Sequence, residues 1–226
     1  MSAEARSALA HQFEDLEQQH EADTLGMWAF LATEIMFFGG LFLGYTVYRS
    51  MYLPAFEAGS RLLDVRLGAT NTAVLIASSL TMALAVHAAQ TGRRKALIAC
   101  IVLTMLLGAA FLGIKGYEYW HKYDHSLVPG IRFAPAGDDL RLVQQRAAGV
   151  PQVQLFFCFY FFMTGMHALH MIIGLGIMTV LLVRSWRGRF SENYFSPVEV
   201  SGLYWHFVDI VWIFLFPLLY LIGGRY

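Results

Sequence analysis

The stretch SGLYWHFVDIVWIFLFPLLYLIGG, residues 201 to 224, sets His206 and Asp209 three residues apart inside a run of large apolar side chains. An imidazole and a carboxyl at i and i+3 share a helix face, where they can bond each other, bond a neighbouring helix or pass a proton. His167 and His170, in FFMTGMHALHMIIGLG, repeat that spacing. They could begin a metal site, yet two imidazoles are half of a tetrahedral set and no Cys or carboxylate in the segment completes it. Hydrogen bonding between helices is the simpler use of the pair. Glu34, in MWAFLATEIMFFGGLFLG, is a carboxyl in similarly apolar company, and Glu118 stands in KGYEYWHKYDH at the end of span three, among polar residues of the kind that join membrane helices by hydrogen bonds. An unpaired carboxylate in such a place is costly, so Glu34 either bonds a neighbouring helix or serves proton transfer. No segment carries the histidine set for a haem pair and a copper, and no loop has a copper-binding Cys and Met constellation. Catalytic, cofactor-binding and metal-ligating residues are accordingly not expected in this chain.

The elements that must position these groups follow from composition. Of 226 residues, 57% are hydrophobic and 15% aromatic, with a mean hydropathy of +0.51, which exceeds globular usage and indicates an integral membrane protein. Sixteen basic residues balance sixteen acidic ones, so no basic field exists to hold nucleic acid. Cys100 and Cys158 each lie in an apolar run, outside any CxxC or metal-ligand spacing.

Five segments, about 25–48, 68–90, 96–120, 152–183 and 200–223, are each long enough to cross about 30 Å of hydrocarbon as helix, and none alternates like a barrel strand. The expected fold is all-α, a bundle of five transmembrane helices over residues 25–226, preceded by a polar segment over 1–24. That segment is acidic (Glu4, Glu14, Asp15, Glu17, Glu21, Asp23), unlike a secretory signal or an Arg-rich transit peptide. The five residues TGRRK make spans two and three antiparallel neighbours. The connection between spans three and four is the longest, with Pro129, Gly130, Pro135 and Gly137 marking a surface loop. Arg93, Arg94 and Lys95, then Arg184, Arg187 and Arg189, crowd the short loops of one side, which places those loops and the N-terminus in the cytoplasm and the C-terminus outside. Trp28, Trp186 and Trp205 then fall near inner ends, and Tyr45, Tyr48, Tyr117, Tyr119 and Trp120 near outer ends. Asn71, Ser78, Ser79, Thr81 and His87 in span two suit interhelical hydrogen bonds, and the Gly40 to Gly44 spacing suits close helix contact. Pro217 lacks the N–H that would bond the Ile213 carbonyl, so span five is expected to bend there.

WHFVDIVWIFLF in span five, FFMTGMHALHMIIG in span four, GMWAFLATEIMFFGGLF in span one, NTAVLIASS in span two and GYEYW at the end of span three together resemble subunit III of the haem–copper respiratory oxidases. Four motifs in order, covering nearly every span, make this far more specific than a short pattern. The resemblance implies an accessory subunit without haem or copper of its own, those cofactors belonging to partner subunits. It also implies direct packing against catalytic subunit I near the mouth of a proton-uptake pathway, contact with other oxidase subunits, and lipids bound within the subunit. By it, Glu34 matches the family's intramembrane glutamate, and His167, His170, His206 and Asp209 match its helix-embedded polar positions. Larger members have seven spans, and this chain begins at the glutamate-bearing one, so the lipid cleft formed by the first two is in question here. A bacterial inner membrane is the implied location. The competing readings are the accessory subunit of a nitric oxide reductase and a proton-coupled transporter, although no inverted repeat supports the latter.

Overall fold

The computed structural model describes residues 12–130, 133–145, 149–190 and 194–222. Glu4, the first part of the polar N-terminal segment and both chain termini lie outside the described residues. The described chain runs α1 (Leu16–Met51), α2 (Leu53–Arg61), α3 (Val65–Gln90), α4 (Arg94–Asp124), α5 (Gly137–Gln145), α6 (Val150–Trp186) and α7 (Ser196–Phe216), which continues as a π-helical turn over Pro217–Leu221. No strand occurs among the described residues. Five of these helices, α1, α3, α4, α6 and α7 with its π turn, are long and apolar enough to cross a membrane. The protein is thus an all-α membrane protein with five candidate spans, as its sequence pattern predicts.

Two boundaries differ from that pattern in an informative way. Helix α1 has 36 residues and begins at Leu16, inside the segment read as a separate polar region. At about 1.5 Å per residue it rises about 54 Å, so its polar first turns extend well beyond a hydrocarbon core. The change of polarity at residue 25 marks the edge of the apolar span and not the start of the helix. Helices α2 and α5, nine residues each, were not predicted: each is too short and too weakly apolar to show a span-like signal. Helix α2 carries Pro54 in its first turn and buries Ala55, Phe56, Ala58, Gly59 and Ser60. In α5, Asp138 and Asp139 occupy the positive N-terminal end.

Local chemistry fixes the other ends. The Asp64 carboxylate accepts the N–H of Arg66 at 2.8 Å and that of Leu67 at 3.3 Å, capping α3. Helix α3 ends at Gly92, φ +66°, where the N–H of Arg93 donates to the Ala88 carbonyl at 2.9 Å and that of Gly92 to Ala89 at 3.2 Å. Helix α6 closes in the same way at Gly188, φ +70°, with Arg189 donating to Arg184 at 3.1 Å. A left-handed glycine followed by this bond pair satisfies carbonyls that a helix end otherwise leaves unbonded. At Pro217 the missing N–H is accommodated by a switch from α to π winding.

The fold divides into two compact units, one of residues 1–35, 75–109 and 170–209, the other of 36–74, 110–169 and 210–226. The first is packed around Trp205, Met82, Ile101, Met171 and Met178, each at 0% exposure. Three glycines there admit neighbours closely: a Cβ on Gly108 would lie 2.9 Å from the Trp205 ring, one on Gly174 2.8 Å from it, and one on Gly202 2.9 Å from Val86. Trp205 is therefore a core residue whose indole N–H donates to Ser78 Oγ at 2.9 Å, and not an interfacial anchor as its position suggested. Trp28 and Trp186, by contrast, are 57% and 71% exposed.

The second unit has an aromatic core. Tyr45, Phe56, Phe111, Phe156, Phe157, Tyr160, Trp212 and Tyr220 are buried in it, with Tyr45 against Phe56 at 5.2 Å and Phe111 edge-on to Trp212 at 4.9 Å. Tyr45, expected at the outer interface, instead donates to the Leu218 carbonyl inside this core at 2.9 Å. Apolar burial gains little between helices surrounded by lipid, so close packing and hydrogen bonds must supply the cohesion. The Gly40 to Gly44 spacing marks no close helix contact within the chain: a Cβ on Gly40 would meet nothing within 4 Å, and one on Gly44 only Phe159 at an ordinary 3.5 Å. A spacing of two glycines does not reveal which face a helix turns to its neighbours.

Candidate functional site

In the first unit, Glu34 on α1 and His170 on α6 meet, with Oε2 and Nε2 3.1 Å apart and side chains 19% and 11% exposed. Each lies well inside a long apolar helix, so the pair supplies each polar group with a partner where no water is at hand. Tyr204 on α7 donates its hydroxyl to the His170 carbonyl at 2.9 Å and stacks at a tilt against Phe30, one turn before Glu34. Three helices thus position one titratable pair. The partial exposure of Glu34 leaves it reachable from outside the protein core, unlike the fully enclosed polar groups elsewhere.

His206 and Asp209 behave differently. His206 Nδ1 lies 2.7 Å from Ser79 Oγ, and Ser78, next to it, takes the Trp205 indole proton. Thr81 Oγ1 in turn lies 2.8 Å from Thr104 Oγ1. These contacts join α7 to α3 and α3 to α4, and confirm that the second and third spans are neighbours within this unit. Asp209, 3% exposed, is buried with the Ser79 hydroxyl as its polar neighbour. His206 and Asp209 do not satisfy each other. Of the uses the spacing left open, the structure shows a bond to another helix, with Ser79 of α3 facing both side chains.

In the second unit, His167 is packed between rings, with Phe111 at 5.4 Å and Trp212 at 5.3 Å. Although His167 and His170 share a helix face by spacing, they serve different surroundings. No group of three His, Cys, Asp or Glu suited to a metal occurs among the described residues. Glu118, 2% exposed, accepts from Lys115 Nζ at 2.9 Å and from the Tyr220 hydroxyl at 2.7 Å. Lys115 also donates to the hydroxyls of Tyr160 at 3.2 Å and Tyr220 at 2.9 Å, and its Nζ stands 5.0 Å from the centres of the Tyr160 and Trp212 rings. A buried ion pair is tolerable only when its remaining donors and acceptors are met, and here two tyrosines and two ring faces do so. Lys115 is the polar residue that sequence reasoning passed over. Its signal was present, a cation three residues before a carboxylate within one apolar helix.

Five apolar helices bearing this set of buried polar groups can be placed among known proteins. Residues 15–127 and 152–224 match the family described as cytochrome c oxidase subunit III. The chain belongs to that family. It is 33% identical over 199 residues to a probable cytochrome c oxidase subunit 3 of Nocardia farcinica, covering 88% of this chain and 87% of that one. With a quinol oxidase subunit 3 of Bacillus subtilis it shares 30% identity over 215 residues, 92% of each. With cytochrome c oxidase subunit 3 of Gallus gallus it shares 31% over 207 residues, 88% of this chain and 69% of the other. Membership makes the chain an accessory subunit of a haem–copper oxidase. It lends no support to the nitric oxide reductase and transporter readings.

Proposed function

We propose that the chain packs directly against the oxygen-reducing subunit I, that it supports the stability and proton uptake of that subunit, and that haem and copper reside in the partner subunits. The observation that carries this reading is the Glu34–His170 pair, a titratable couple held by three helices and still partly exposed. Such a couple can take up and release a proton at the edge of the chain without performing oxygen chemistry. Relatives named for cytochrome c and for quinol match about equally well, so the electron donor is a property of another subunit. The proposed location is the bacterial inner membrane, with the N-terminus cytoplasmic and the C-terminus outside.

Glu34→Gln in the assembled oxidase tests this role, because the amide keeps size and hydrogen bonding while removing the titratable proton. Oxygen reduction should persist. The proton-pumping ratio, or resistance to inactivation over many turnovers at raised pH, should change modestly. Loss of oxygen reduction in a correctly assembled complex would refute an accessory role, and no change at any pH would reduce Glu34 to a structural contact.

A further inference from the structure

Glu118 is 2% exposed, and the little surface it keeps belongs to the wall of a recess of about 370 Å³ in the second unit. Arg61, Asp64 and Leu67 bound that recess together with His121 and Lys122 of α4. Glu118 precedes Asp124, the last residue of α4, by six positions, or about 9 Å along the helix, so the recess leads from the helix end to a carboxylate within the apolar span. Lys122, 5% exposed, donates to the Leu62 carbonyl at the end of α2, and the Asp64 carboxylate accepts backbone N–H groups of α3. Polar groups continue inward behind Glu118. Lys115 stands one turn deeper and reaches Tyr160 and Tyr220. Asn71 is 0% exposed, and neither polar atom of its side chain has a hydrogen-bond partner among the described residues. It lies one turn past Leu67 on α3 and shares a helix face with Gly68 and Thr72. A Cβ on Gly68 would lie 3.0 Å from the Tyr220 ring, and Thr72 Oγ1 accepts the Trp212 indole N–H at 3.1 Å. The Asn71 amide is therefore carried on the face of α3 that meets two of the rings around Lys115.

We propose that the Lys115–Glu118 cluster is a proton-binding site, in exchange through this recess with the aqueous phase at the C-terminal end of α4. An ion pair kept for cohesion alone needs neither a polar recess at its carboxylate nor a spare amide behind it, whereas intramembrane polar groups that face a water-filled cavity mark proton pathways. The recess has room for several water molecules at about 30 Å³ each, and its walls offer the two to four polar partners that each requires. On uptake, hydronium in the recess gives its proton to a Glu118 carboxylate oxygen and is left as water. Glu118 becomes a neutral carboxyl, Lys115 keeps its ammonium, and the pair passes from net zero to one positive charge. The Tyr160 and Tyr220 hydroxyls and the ring faces then hold that ammonium without a counterion. Among the surrounding groups Arg61, Lys122 and, when protonated, His121 oppose the added charge, and Asp64 and Asp139 of α5, which acts on Lys122, favour it. The inference needs only the membrane-spanning second unit, and it is independent of the role proposed for Glu34.

Infrared difference spectra of the assembled complex after a step to lower pH test the site. Wild type should gain a protonated-carboxyl band that shifts in D₂O and shifts again when glutamate carboxyls carry ¹³C. Glu118→Gln should lose that band, and Glu34→Gln should keep it. Leu67→Phe, which narrows the recess and leaves the ion pair in place, should slow the appearance of the band severalfold without changing its final size. In vesicles whose orientation is read by labelling Leu53→Cys, a pH step on the side of that cysteine should produce the band, and a step on the side of the TGRRK loop should not. No glutamate band in wild type, a band retained in Glu118→Gln, an unchanged rate in Leu67→Phe or entry from the TGRRK side would each overturn the proposal. If Glu118→Gln fails to assemble, the ¹³C-shifted wild-type band and its rate in Leu67→Phe decide the matter.

Discussion

Lys115 and Glu118 show how a charge is kept inside a membrane protein. Their side chains are 4% and 2% exposed; Lys115 is met by Glu118, Tyr160 and Tyr220, and Glu118 by Lys115 and Tyr220. Removing one partner strands the other, so Lys115→Met should destabilise the assembled protein by about 3–5 kcal/mol. The double change Lys115→Met with Glu118→Leu should recover much of that, leaving only unbonded tyrosine hydroxyls at about 1–3 kcal/mol. Thermal release of this subunit from the detergent-solubilised complex measures both, and a double variant as unstable as the single one would count against the pair as described. Glu34 and His206 could be recognised as polar groups in apolar helices from sequence alone, because any such group needs a reason. Their partners could not. His170 is 136 residues from Glu34 and Ser79 is 127 from His206, and only packing decides which helix faces meet. Asp209 shows the limit from the other side: its spacing from His206 left open a bond between the two or bonds to another helix, and only the fold turns His206 to Ser79.

At the scale of elements, the spans were legible and their contacts were not. Length and apolarity alone locate five membrane helices, because in lipid every backbone bond must close within its own helix. Which glycines lie at contacts depends on helix rotation, which no local pattern states. Gly108→Ala and Gly174→Ala each drive a Cβ to within 3 Å of the rigid Trp205 ring, so each should cost about 1–3 kcal/mol. Gly39→Ala meets nothing within 4 Å and should be neutral or stabilising by about 0.5–1 kcal/mol from helix propensity. Comparing thermal denaturation of the three variants in the complex checks the ranking, and a Gly39→Ala as damaging as Gly174→Ala would contradict it. The short helices α2 and α5 were missed because nine residues give no span-length signal, while Pro217 announced its irregularity through a missing N–H.

For the molecule as a whole, the outward surface of α1 is the feature that bears on assembly. Leu25, Trp28, Ile35, Met36, Leu43 and Met51 are all more than half exposed, an apolar surface for lipid or partner subunits to cover. The chain expressed alone should melt at a lower temperature than the same chain within the oxidase, and equal melting would argue against stabilisation by partners. Topology is tested by cysteines placed at the two ends of α1: Glu17→Cys should be shielded from a membrane-impermeant reagent in intact cells, and Leu53→Cys labelled. Biosynthesis places its own demand on the buried ion pair. A ribosome delivers Lys115 and Glu118 together, so the nascent segment leaves the insertion machinery already carrying its own counterion. Tyr160 and Tyr220 emerge 45 and 105 residues after Lys115, and insertion need not wait for either. Glu34 has no such companion on its own helix, and 136 further residues must be translated before His170 can meet it. The first span therefore enters the bilayer with its carboxyl unpartnered, and only the arrival of α6 completes it.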